Sequence, residues 1–414
     1  MRLIYFTNAY PYGIGEQWKT YELNVFKKYF DSITVVPFSY LGNYQHVPFI
    51  EGIRYHKPLF EKDISFRLPN VIPSVFFSRH TGRFLQELFT SNAYKSRART
   101  MSWLYASHKA NRLINNSRLQ EVLGSSDADT VLYFFWGREA SEIIPFISKN
   151  IRYKKIVSRF HGYDLYKDRN NGYIPYQQQQ VKALDLLLPC SSSGRDYFLE
   201  EYPGIQASKV WVARLGAVSK GLSPASTDGV LRLITCSGIV PVKRLHLIVE
   251  ALQYVNVPVE WTHIGTGDLH EHIRQMINEL LRDKKNVKVI LAGNYPSSAV
   301  LEHYIQHPCD LFLNVSEAEG VPVAVMEALS AGIPVYATNV GGTHEIVDGL
   351  VGTLLPPNPS AKELAAAIMQ FNDLPAQEKL KLRQGAFRRY EERCNAISNA
   401  EELVKILTQS ESYP

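Results

Sequence analysis

Two glutamates, Glu319 and Glu327, stand eight residues apart in this 414-residue chain, in a segment whose composition is suited to ligand binding. The apolar run 311–315 predicts a buried parallel strand and the polar stretch 316–320 a turn. Pro322 predicts the first turn of a helix, and Gly332 predicts a stop just past its end. The apolar neighbours of Glu327 indicate that this helix is buried, and a buried carboxylate needs polar partners. The alternative is that Glu327 is a solvated residue on the outer face of an amphipathic helix.

The start of this helix is predicted to bind a phosphate. The amides of Gly320, Val321 and Val323 would have no acceptor within the helix, and the helix dipole adds positive potential at this end. Parallel α/β sheets hold phosphates at this edge. Glu319 precedes the terminus and Glu327 lies one turn beyond Val323, so a phosphate there would have a carboxylate on either side. Because carboxylates accept hydrogen bonds from vicinal diols, the segment predicts a site for a nucleoside diphosphate sugar.

The order of motifs in the second half of the chain resembles the signature of the family 4 retaining glycosyltransferases. The pair Glu319/Glu327 is followed by A-x-x-A-G-I-P-V and then by G-G-T-H-E-I-V, in the order and spacing of that family. The resemblance implies an α/β protein with the GT-B fold, in which two Rossmann-like domains with parallel sheets face each other across a cleft. We expect an acceptor-binding domain at 1–215, joined by the C-terminal helix 395–414, and a nucleotide-sugar-binding domain at 216–394.

Length and periodicity also indicate two domains. A chain of 414 residues with 45% hydrophobic content exceeds one ordinary core, and the periodicity breaks near 215–226. Apolar runs alternate with helical stretches and predict two parallel sheets. The predicted strands are 3–6, 33–38, 131–136, 156–160 and 186–190 in the first half, and 231–236, 259–264, 287–291, 311–315, 335–337 and 353–355 in the second.

The sequence predicts a cytoplasmic enzyme. No apolar run approaches the roughly 18 residues that span a membrane, and the start of the chain lacks the long apolar region and cleavage site of a signal peptide. The four cysteines are widely spaced, which favours reduced and buried thiols over disulfides or structural zinc.

The stretch 61–118 is unusually basic and aromatic. It contains ten lysines and arginines against three acids, together with eight aromatic residues. Such a surface suits peripheral contact with an anionic membrane or a polyphosphate acceptor. Nucleic acid is not an expected partner, because no helix-turn-helix, RRM or KH signature is present. The alternative is a solvated helical face whose aromatic side chains turn inward.

Further donor contacts are predicted in the second half. Lys243 lies in a glycine-containing loop after a predicted strand, where it and Arg244 could neutralise a diphosphate. The alternative is a solvated Lys-Arg pair. In the resembled family an arginine usually stands five residues before this lysine, but Gly238 occupies that position here. Two alternatives follow: Arg244 supplies the missing contact with the diphosphate, or that contact is absent. The resemblance also implies that Tyr295 borders the nucleotide base.

In the first half, the glycine loop around Gly15 and the segment containing His161 and Asp164 each follow a predicted strand. The resemblance implies that the glycine loop closes over the donor phosphates and reaches the acceptor. The alternative is an ordinary strand-to-helix turn. A lone histidine is more often structural than catalytic, but the resemblance implies that His161 contacts the transferred sugar, and Asp164 could orient it or bind acceptor.

Two metal-like patterns are interpreted otherwise. The pair Asp127/Asp129 precedes its strand, whereas metal-binding aspartates of this spacing follow one, so we predict a polar turn. His303 and His307 have a spacing that can hold zinc, but no third ligand with suitable spacing is evident. We predict no metal and no cofactor.

The resemblance implies retaining transfer of a hexose-type sugar from a UDP- or GDP-linked donor. Lys243 and the helix amides would stabilise the departing diphosphate, Glu319 would hold sugar hydroxyls, and Glu327 would hold the ribose diol. The departing phosphate would act as base for the acceptor hydroxyl.

The acceptor is predicted to be a glycan or lipid-linked saccharide in surface polysaccharide assembly. The segment with Glu16 and Glu22 loosely resembles bacterial exopolysaccharide transferases, which favours this assignment. One alternative is a sugar-nucleotide epimerase of the same fold. Another is a catalytically silent carbohydrate- or lipid-binding subunit, which only the glycine at position 238 favours.

Overall fold

The computed structural model describes residues 1–13, 16–40, 47–61, 64, 66–147 and 152–409. The chain forms two compact units, of which the first comprises Met1–Ala213 with Ala400–Pro414 and the second Arg214–Asn399. In the described residues, each unit has one six-stranded parallel sheet and its own hydrophobic core.

The first sheet has the strand order β3-β2-β1-β4-β5-β6, which is the order of the Rossmann fold. Its core is rich in aromatic side chains, among which Phe6 and Phe134 stack with ring centroids 4.3 Å apart. The strands are β1 Arg2–Thr7, β2 Ser32–Pro37, β3 Arg54–Tyr55, β4 Thr130–Phe134, β5 Lys155–Phe160 and β6 Leu186–Pro189.

The second sheet has the order β12-β11-β10-β7-β8-β9, which is the same Rossmann order when the strands are counted from the start of the unit. The strands are β7 Leu231–Cys236, β8 Val259–Ile264, β9 Val287–Gly293, β10 Leu311–Asn314, β11 Val335–Thr338 and β12 Gly352–Leu355.

Helices connect these strands. The α-helices are α1 Lys19–Phe26, α2 Leu68–Phe76, α3 Thr81–Thr90, α4 Arg97–Ile114, α5 Ser117–Gly124, α6 Gly162–Leu165, α7 Gln177–Ala183, α8 Ser192–Glu201, α9 Leu245–Leu252, α10 His270–Leu280, α11 Ser297–Gln306, α12 Val323–Ser330, α13 Ala361–Asp373, α14 Ala376–Arg389 and α15 Ala396–Thr408. Short 3-10 segments lie at Ala93–Lys95, Glu139–Phe146, Asp168–Asn170, Ala207–Lys209, Pro241–Lys243 and Gly341–Glu345, and a π turn lies at Tyr390–Cys394.

In each unit, the strand order reverses at one point in the sheet, and a crevice is expected there. In the first sheet it lies between the neighbours β1 and β4, and in the second between β7 and β10. The connections that leave the carboxyl ends of two such strands diverge, which opens a crevice where open α/β sheets bind ligands. Ligand-binding residues are therefore expected on the loops after β1, β4, β7 and β10.

The strand predictions are confirmed for all eleven segments, with ends that shift by at most two residues. The structure adds β3, which has two residues and pairs only with β2. A strand this short carries no periodicity from which it could be predicted.

Other predictions concern the cysteines and the C-terminal helix. All four cysteines are free, and Cys190, Cys309 and Cys394 are buried, as expected. The C-terminal helix predicted at 395–414 corresponds to α15 Ala396–Thr408, which begins in the second unit and belongs to the first from Ala400 onward. Among the described residues, no helix has both the length and the apolar character of a membrane span.

Candidate functional site

Lys243 and Glu319 meet where the strand order of the second sheet reverses. The chain after β7 turns through the 3-10 segment that ends at Lys243, and the chain after β10 leads to Glu319. The Nζ atom of Lys243 lies 2.7 Å from Oε1 of Glu319, and Nδ2 of Asn314 donates to the same oxygen over 3.3 Å. The Lys243 side chain is 26% exposed, so its ammonium pairs with the carboxylate and still reaches solvent.

A cavity of about 250 Å³ opens between these two loops. Its lining includes the Lys243 and Glu319 side chains, Ser237 after β7 and the start of α12 at Pro322 and Val323. A larger cavity of about 400 Å³ in the same unit is lined by Leu231 and Asp310, which lie at the amino ends of their strands. Because open α/β sheets bind ligands at the carboxyl ends, the first cavity is the better candidate.

The start of α12 supplies free backbone donors to this cavity. The helix begins at Val323, with Pro322 just before it as the N-cap residue rather than in the first turn as predicted. The amides of Val325 and Met326 donate to the Pro322 carbonyl over 3.1 and 3.2 Å. The amides that come before them, at Gly320, Val321 and Val323, donate to no acceptor in the described part of the chain. Val323 lines the same cavity as Lys243, and all three amides lie at the positive end of the helix.

Glu327 is buried in α12 and is 8% exposed, which excludes the solvated alternative. Its Oε1 accepts a hydrogen bond of 2.7 Å from the hydroxyl of Ser297, the first residue of α11. Its other oxygen has no partner in the described residues and is not sealed from solvent. Burial raises the pKa of the Glu327 carboxyl to about 7, against a smaller lowering effect of the Ser297 hydroxyl. Glu327 can therefore accept further hydrogen bonds, and it lies one helical turn beyond Val323, whose amide has no acceptor in the described residues.

The two glycines of G-G-T-H-E-I-V, Gly341 and Gly342, pack against the backbone of Glu319 and Gly320. Gly341 has φ +54°, and a Cβ placed on it would lie 2.0 Å from the carbonyl oxygen of Glu319. The amide of Gly342 donates to the Gly320 carbonyl over 2.6 Å. The backbone at 319–320 is thus held against a loop that only glycine can form.

Substitution of Gly341 by alanine should lower the free energy of unfolding by at least about 2 kcal/mol, because it adds left-handed strain to a backbone clash. Equilibrium denaturant unfolding measures this change. The matched control is Gly349→Ala, since a Cβ at Gly349 has no neighbour within 4 Å and should change stability by less than about 0.5 kcal/mol. Equal effects of the two substitutions would contradict the positioning role of Gly341.

Arg244 lies in this region but its guanidinium is already engaged. Its Nε donates to the Val315 carbonyl over 2.7 Å, and its Nη2 donates to the carbonyls of Ser316 and Pro357 over 3.1 and 2.7 Å. These bonds hold the loops after β10 and β12 together. At Gly238 a Cβ would have its nearest contact at 3.7 Å, so the backbone at this position has room for a Cβ.

Tyr295 lies in the connection from β9 to α11, two residues before Ser297, and its ring meets that of His303 at 6.2 Å. The G-x-G at 265–267 forms a tight turn, because a Cβ on Gly265 would lie 1.9 Å from the Ser237 carbonyl. His303 and His307 stack at 4.3 Å, and no group of three potential metal ligands occurs in the described ranges. Asp127 and Asp129 form the predicted polar turn before β4, where they bind Arg2 and the terminal amino group.

In the first unit, His161 and Asp164 follow β5. His161 caps the short helix α6, and its backbone amide donates to Asp164. The second oxygen of Asp164 accepts from the Gly137 amide over 2.7 Å, and Asp164 is fully buried. These contacts support the orienting role considered for Asp164 and leave it no surface for an acceptor.

The His161 ring packs against Trp136 with centroids 4.1 Å apart and the ring planes tilted by 41°. Both of its nitrogens are buried without a hydrogen-bond partner in the described residues, although Nδ1 lies 3.6 Å from Asp164. Burial lowers the pKa of the imidazole, but Cys190 and Asp164 outweigh burial and raise the pKa to about 9. The ring is therefore preferentially charged, and Asp164 supplies the nearest carboxylate, 3.6 Å from Nδ1.

A buried ion pair fixes the loop after β1. Glu16 accepts the amides of Ala9 and Tyr10 over 2.9 and 2.7 Å and pairs with Lys19. It also accepts the indole N–H of Trp136 over 2.8 Å, so the loops after β1 and β4 are joined beside the histidine. Gly15 lies outside the described residues. The sequence analysis did not predict four residues of these sites: Asn314, Ser297, Lys19 and Trp136. Of these, only Asn314 could have been recognised from the sequence, because it is a polar residue at the end of a buried strand.

Part of the chain matches a known protein family and several curated proteins. A family model described as glycosyl transferases group 1 matches residues 225–389, within the second unit. The chain is 30% identical over 239 residues to the putative colanic acid biosynthesis glycosyltransferase WcaL of Escherichia coli strain K12, across 54% of this chain and 57% of that protein. It is 27% identical over 233 residues to the amylovoran biosynthesis glycosyltransferase AmsK of Erwinia amylovora, across 53% and 55%. It therefore spans little more than half the length of these curated relatives.

Solved structures resemble the whole chain. HepE of Anabaena, in complex with UDP and glucose, aligns with a TM-score of 0.63 and 16% identity, covering 99% of this chain and 100% of that one. The apo lipopolysaccharide outer core galactosyltransferase WaaB aligns with a TM-score of 0.66 and 15% identity, with coverage of 99% and 100%. At these identities the likeness shows the fold alone, and it confirms the prediction of GT-B.

Proposed function

We propose a function from the premise that this chain belongs to the group 1 glycosyltransferases and is related to the colanic acid and amylovoran exopolysaccharide glycosyltransferases. It transfers a hexose-type sugar from a nucleoside diphosphate donor to a glycan or lipid-linked saccharide during assembly of a bacterial surface polysaccharide. The reaction takes place in the cytoplasm and retains the anomeric configuration.

The observation that carries this proposal is the 2.7 Å contact of Lys243 with Glu319 at the start of α12. Lys243, Glu319 and the start of α12 line one cavity of the second unit, and Glu327 lies one turn further along the same helix. This combination matches a ligand with a diphosphate between two polyhydroxylated groups. UDP is the first donor nucleotide to test, since HepE was solved in complex with UDP and glucose and in complex with UDP-glucose.

The proposed roles divide between the two units. The second unit binds the donor: Lys243 neutralises the diphosphate, Glu319 accepts hydrogen bonds from sugar hydroxyls and Glu327 accepts them from the ribose diol. The first unit binds the acceptor, and His161 contacts the transferred sugar. Arg244 contributes indirectly by fixing the loop that carries Glu319, because its donors are used by backbone carbonyls.

The chemical step depends on stabilising the leaving group. As the glycosidic bond breaks, negative charge develops on the diphosphate, and preorganised donors there lower the barrier. Lys243 and the amides at Gly320, Val321 and Val323 supply these donors without proton transfer. The acceptor hydroxyl attacks from the side of the departing phosphate, which takes its proton, so neither a metal nor a protein nucleophile is part of the proposal.

The test is a screen of the purified chain against UDP-, GDP- and dTDP-linked sugars, read by thermal unfolding and by sugar transfer to a membrane extract. One donor class should raise the unfolding temperature, because a ligand that binds only the native state stabilises it by mass action. Donor and extract together should yield a glycosylated product. Analysis of donor alone excludes epimerisation.

Two outcomes would contradict the proposal. Absence of both binding and transfer with every donor would refute it, and binding without transfer in the presence of extract would favour a silent subunit. Glu319→Ala controls the assay, since it should abolish the transfer that the parent chain shows.

A further inference from the structure

Among the described residues, Ser297 is the single side chain that hydrogen-bonds the buried carboxylate of Glu327. Its hydroxyl oxygen lies 2.7 Å from Oε1, a distance typical of a hydroxyl that donates to an ionised carboxylate. Ser297 is the first residue of α11, whereas Glu327 lies in the second turn of α12. The bond therefore fixes the carboxylate through a contact between two helices.

Few other groups act on this carboxylate. No cation pairs with Glu327 in the described part of the chain. The titratable groups that interact with its charge are the thiol of Cys236 at the end of β7 and the phenol of Tyr304 in α11. Burial raises the pKa of Cys236 to about 12 and the pKa of Tyr304 well above its ordinary value, so both are neutral near pH 7. A buried carboxylate without a cation depends on its hydrogen-bond donors, and here the protein supplies Ser297.

The bond also determines which carboxylate oxygen is open to a ligand. Oε1 accepts from the Ser297 hydroxyl, whereas Oε2 has no partner among the described residues and is not sealed from solvent. The last side-chain torsion of a glutamate is soft, so an unrestrained carboxylate would turn. Because Ser297 restrains it, the open oxygen keeps one direction before a ligand arrives, and such preorganisation reduces the entropy lost on binding.

Ser297 is itself held by regular helical backbone. The connection from β9 ends at Pro296, the N-cap residue of α11. The amides of Ala299 and Val300 donate to the Pro296 carbonyl over 2.9 and 3.1 Å and close the first turn. A residue at the first position of a formed turn keeps its place, so its hydroxyl provides a fixed donor for Glu327.

We propose that Ser297 is a positioning residue for the donor: its hydroxyl orients the Glu327 carboxylate toward a ribose diol and thereby favours ribonucleotides over 2′-deoxyribonucleotides. The inference rests on the proposed function, in which Glu327 accepts hydrogen bonds from this diol. A deoxyribose offers one hydroxyl fewer and leaves part of the buried carboxylate unsatisfied. This cost is largest when the carboxylate is fixed, because a mobile carboxylate can turn toward water or toward the remaining hydroxyl.

The experiment is calorimetric titration of the full chain at pH 8 with two nucleotide pairs, UDP with dUDP and GDP with dGDP. The members of each pair differ only in the 2′-hydroxyl. The parent chain should bind the ribonucleotide of its preferred pair about 30-fold more tightly than the deoxyribonucleotide, the usual effect of a lost hydrogen bond to a charged group. Ser297→Ala should weaken ribonucleotide binding about tenfold and deoxyribonucleotide binding about twofold, so the preference falls about fivefold.

The pH dependence of binding gives a second readout. The Ser297 hydroxyl lowers the pKa of Glu327 against the larger, raising effect of burial. Its removal should raise this pKa above its present value of about 7, so the carboxylate ionises at higher pH. The increase in ribonucleotide affinity with pH should therefore shift to higher pH in Ser297→Ala, whereas Ser297→Thr, which keeps a hydroxyl, should retain the profile of the parent.

Two controls separate positioning from a general structural role. Ser298→Ala makes the same chemical change at the next position of α11, where the side chain is exposed, and should leave both affinities within about twofold of the parent. In a Glu327→Gln background, Ser297→Ala should have little further effect on the preference, as expected for a residue that acts through Glu327.

Equal losses for ribonucleotide and deoxyribonucleotide in Ser297→Ala would overturn the inference, because a merely structural serine would produce them. An unchanged preference in that variant would also overturn it. Failure of the parent chain to bind UDP or GDP is a distinct result, since it would refute the proposed function itself and the inference with it.

Discussion

Replacement of Lys243 by methionine is expected to lower kcat/KM for sugar transfer by about 100- to 1,000-fold, the usual effect of removing one preorganised donor to a developing anion. Methionine keeps most of the length of the side chain and removes its charge. The loss should fall mainly on kcat, because the diphosphate gains charge only as the sugar departs. Steady-state kinetics with a fixed acceptor preparation measure both parameters.

The second unit offers a matched control for this substitution. Nζ of Lys288 on β9 lies 2.7 Å from Oε2 of Glu260, the same distance as in the Lys243 pair, but its side chain is 68% exposed. Lys288→Met should leave transfer within about twofold of the parent, since an exposed pair contributes little. Lys243→Arg should restore part of the rate by returning the charge. A small effect of Lys243→Met, comparable with that of Lys288→Met, would remove Lys243 from the catalytic assignment.

Much of the second unit could be predicted because its signals are local. The buried run before Glu319, the proline at 322 and the glycine at 332 mark a strand, a turn and a helix within some twenty residues. The structure places a strand, a helix start and a left-handed glycine with φ +67° at these positions. The burial of Glu327 followed equally from its apolar neighbours.

What could not be predicted depends on contacts between distant segments. The use of Arg244 by the carbonyls after β10 and β12 requires the strand order, which sequence patterns do not specify. The support of Glu319 by Gly341 likewise depends on two loops that meet only in the folded sheet. In the first unit, His161 was identified through the resemblance, whereas its contact with Trp136 depends on how neighbouring strand ends pack.

The exposure of apolar side chains on α2 could not be predicted for a different reason. Leu68, Val71, Ile72, Val75 and Phe76 are all apolar, so composition predicts a buried helix and cannot tell which residues are packed. Only the structure separates the buried valines from the exposed residues.

Substitution of Glu327 by glutamine is expected to stabilise the unliganded chain at alkaline pH and to weaken donor binding. The folded-state pKa of Glu327, about 7, lies above the ordinary glutamate value of 4.5 because of burial. The folded state therefore holds its proton more tightly, so the associated stability is fully present below pH 4.5 and is lost as pH rises through about 7. At pH 8 the loss approaches about 3 kcal/mol, from about 1.4 kcal/mol per pKa unit. Glutamine does not ionise, so the Glu327→Gln variant does not undergo this loss of stability.

Donor binding should respond in the opposite direction. An ionised carboxylate accepts hydrogen bonds from a diol more strongly than a neutral amide, so Glu327→Gln should weaken donor binding about 10- to 100-fold at pH 8. In the parent chain, affinity should rise from pH 6 to pH 8 as Glu327 ionises, and glutamine should flatten this dependence. The neighbouring Cys236 and Tyr304 do not contribute in this range, because burial raises the pKa of the thiol to about 12 and the pKa of the phenol well above its ordinary value.

Glu87→Gln in the first unit separates the two effects. Glu87 is also buried and its pKa is also raised by burial, but its carboxylate contacts Tyr173, Tyr176 and Gln179 within the first unit. Its replacement should alter the pH dependence of unfolding and leave donor affinity unchanged. Calorimetric titration with donor at several pH values, beside denaturant unfolding at the same values, measures both quantities. If Glu327→Gln and Glu87→Gln had the same effect on donor affinity, Glu327 would be a buried structural acid and the ribose contact would have to be assigned elsewhere.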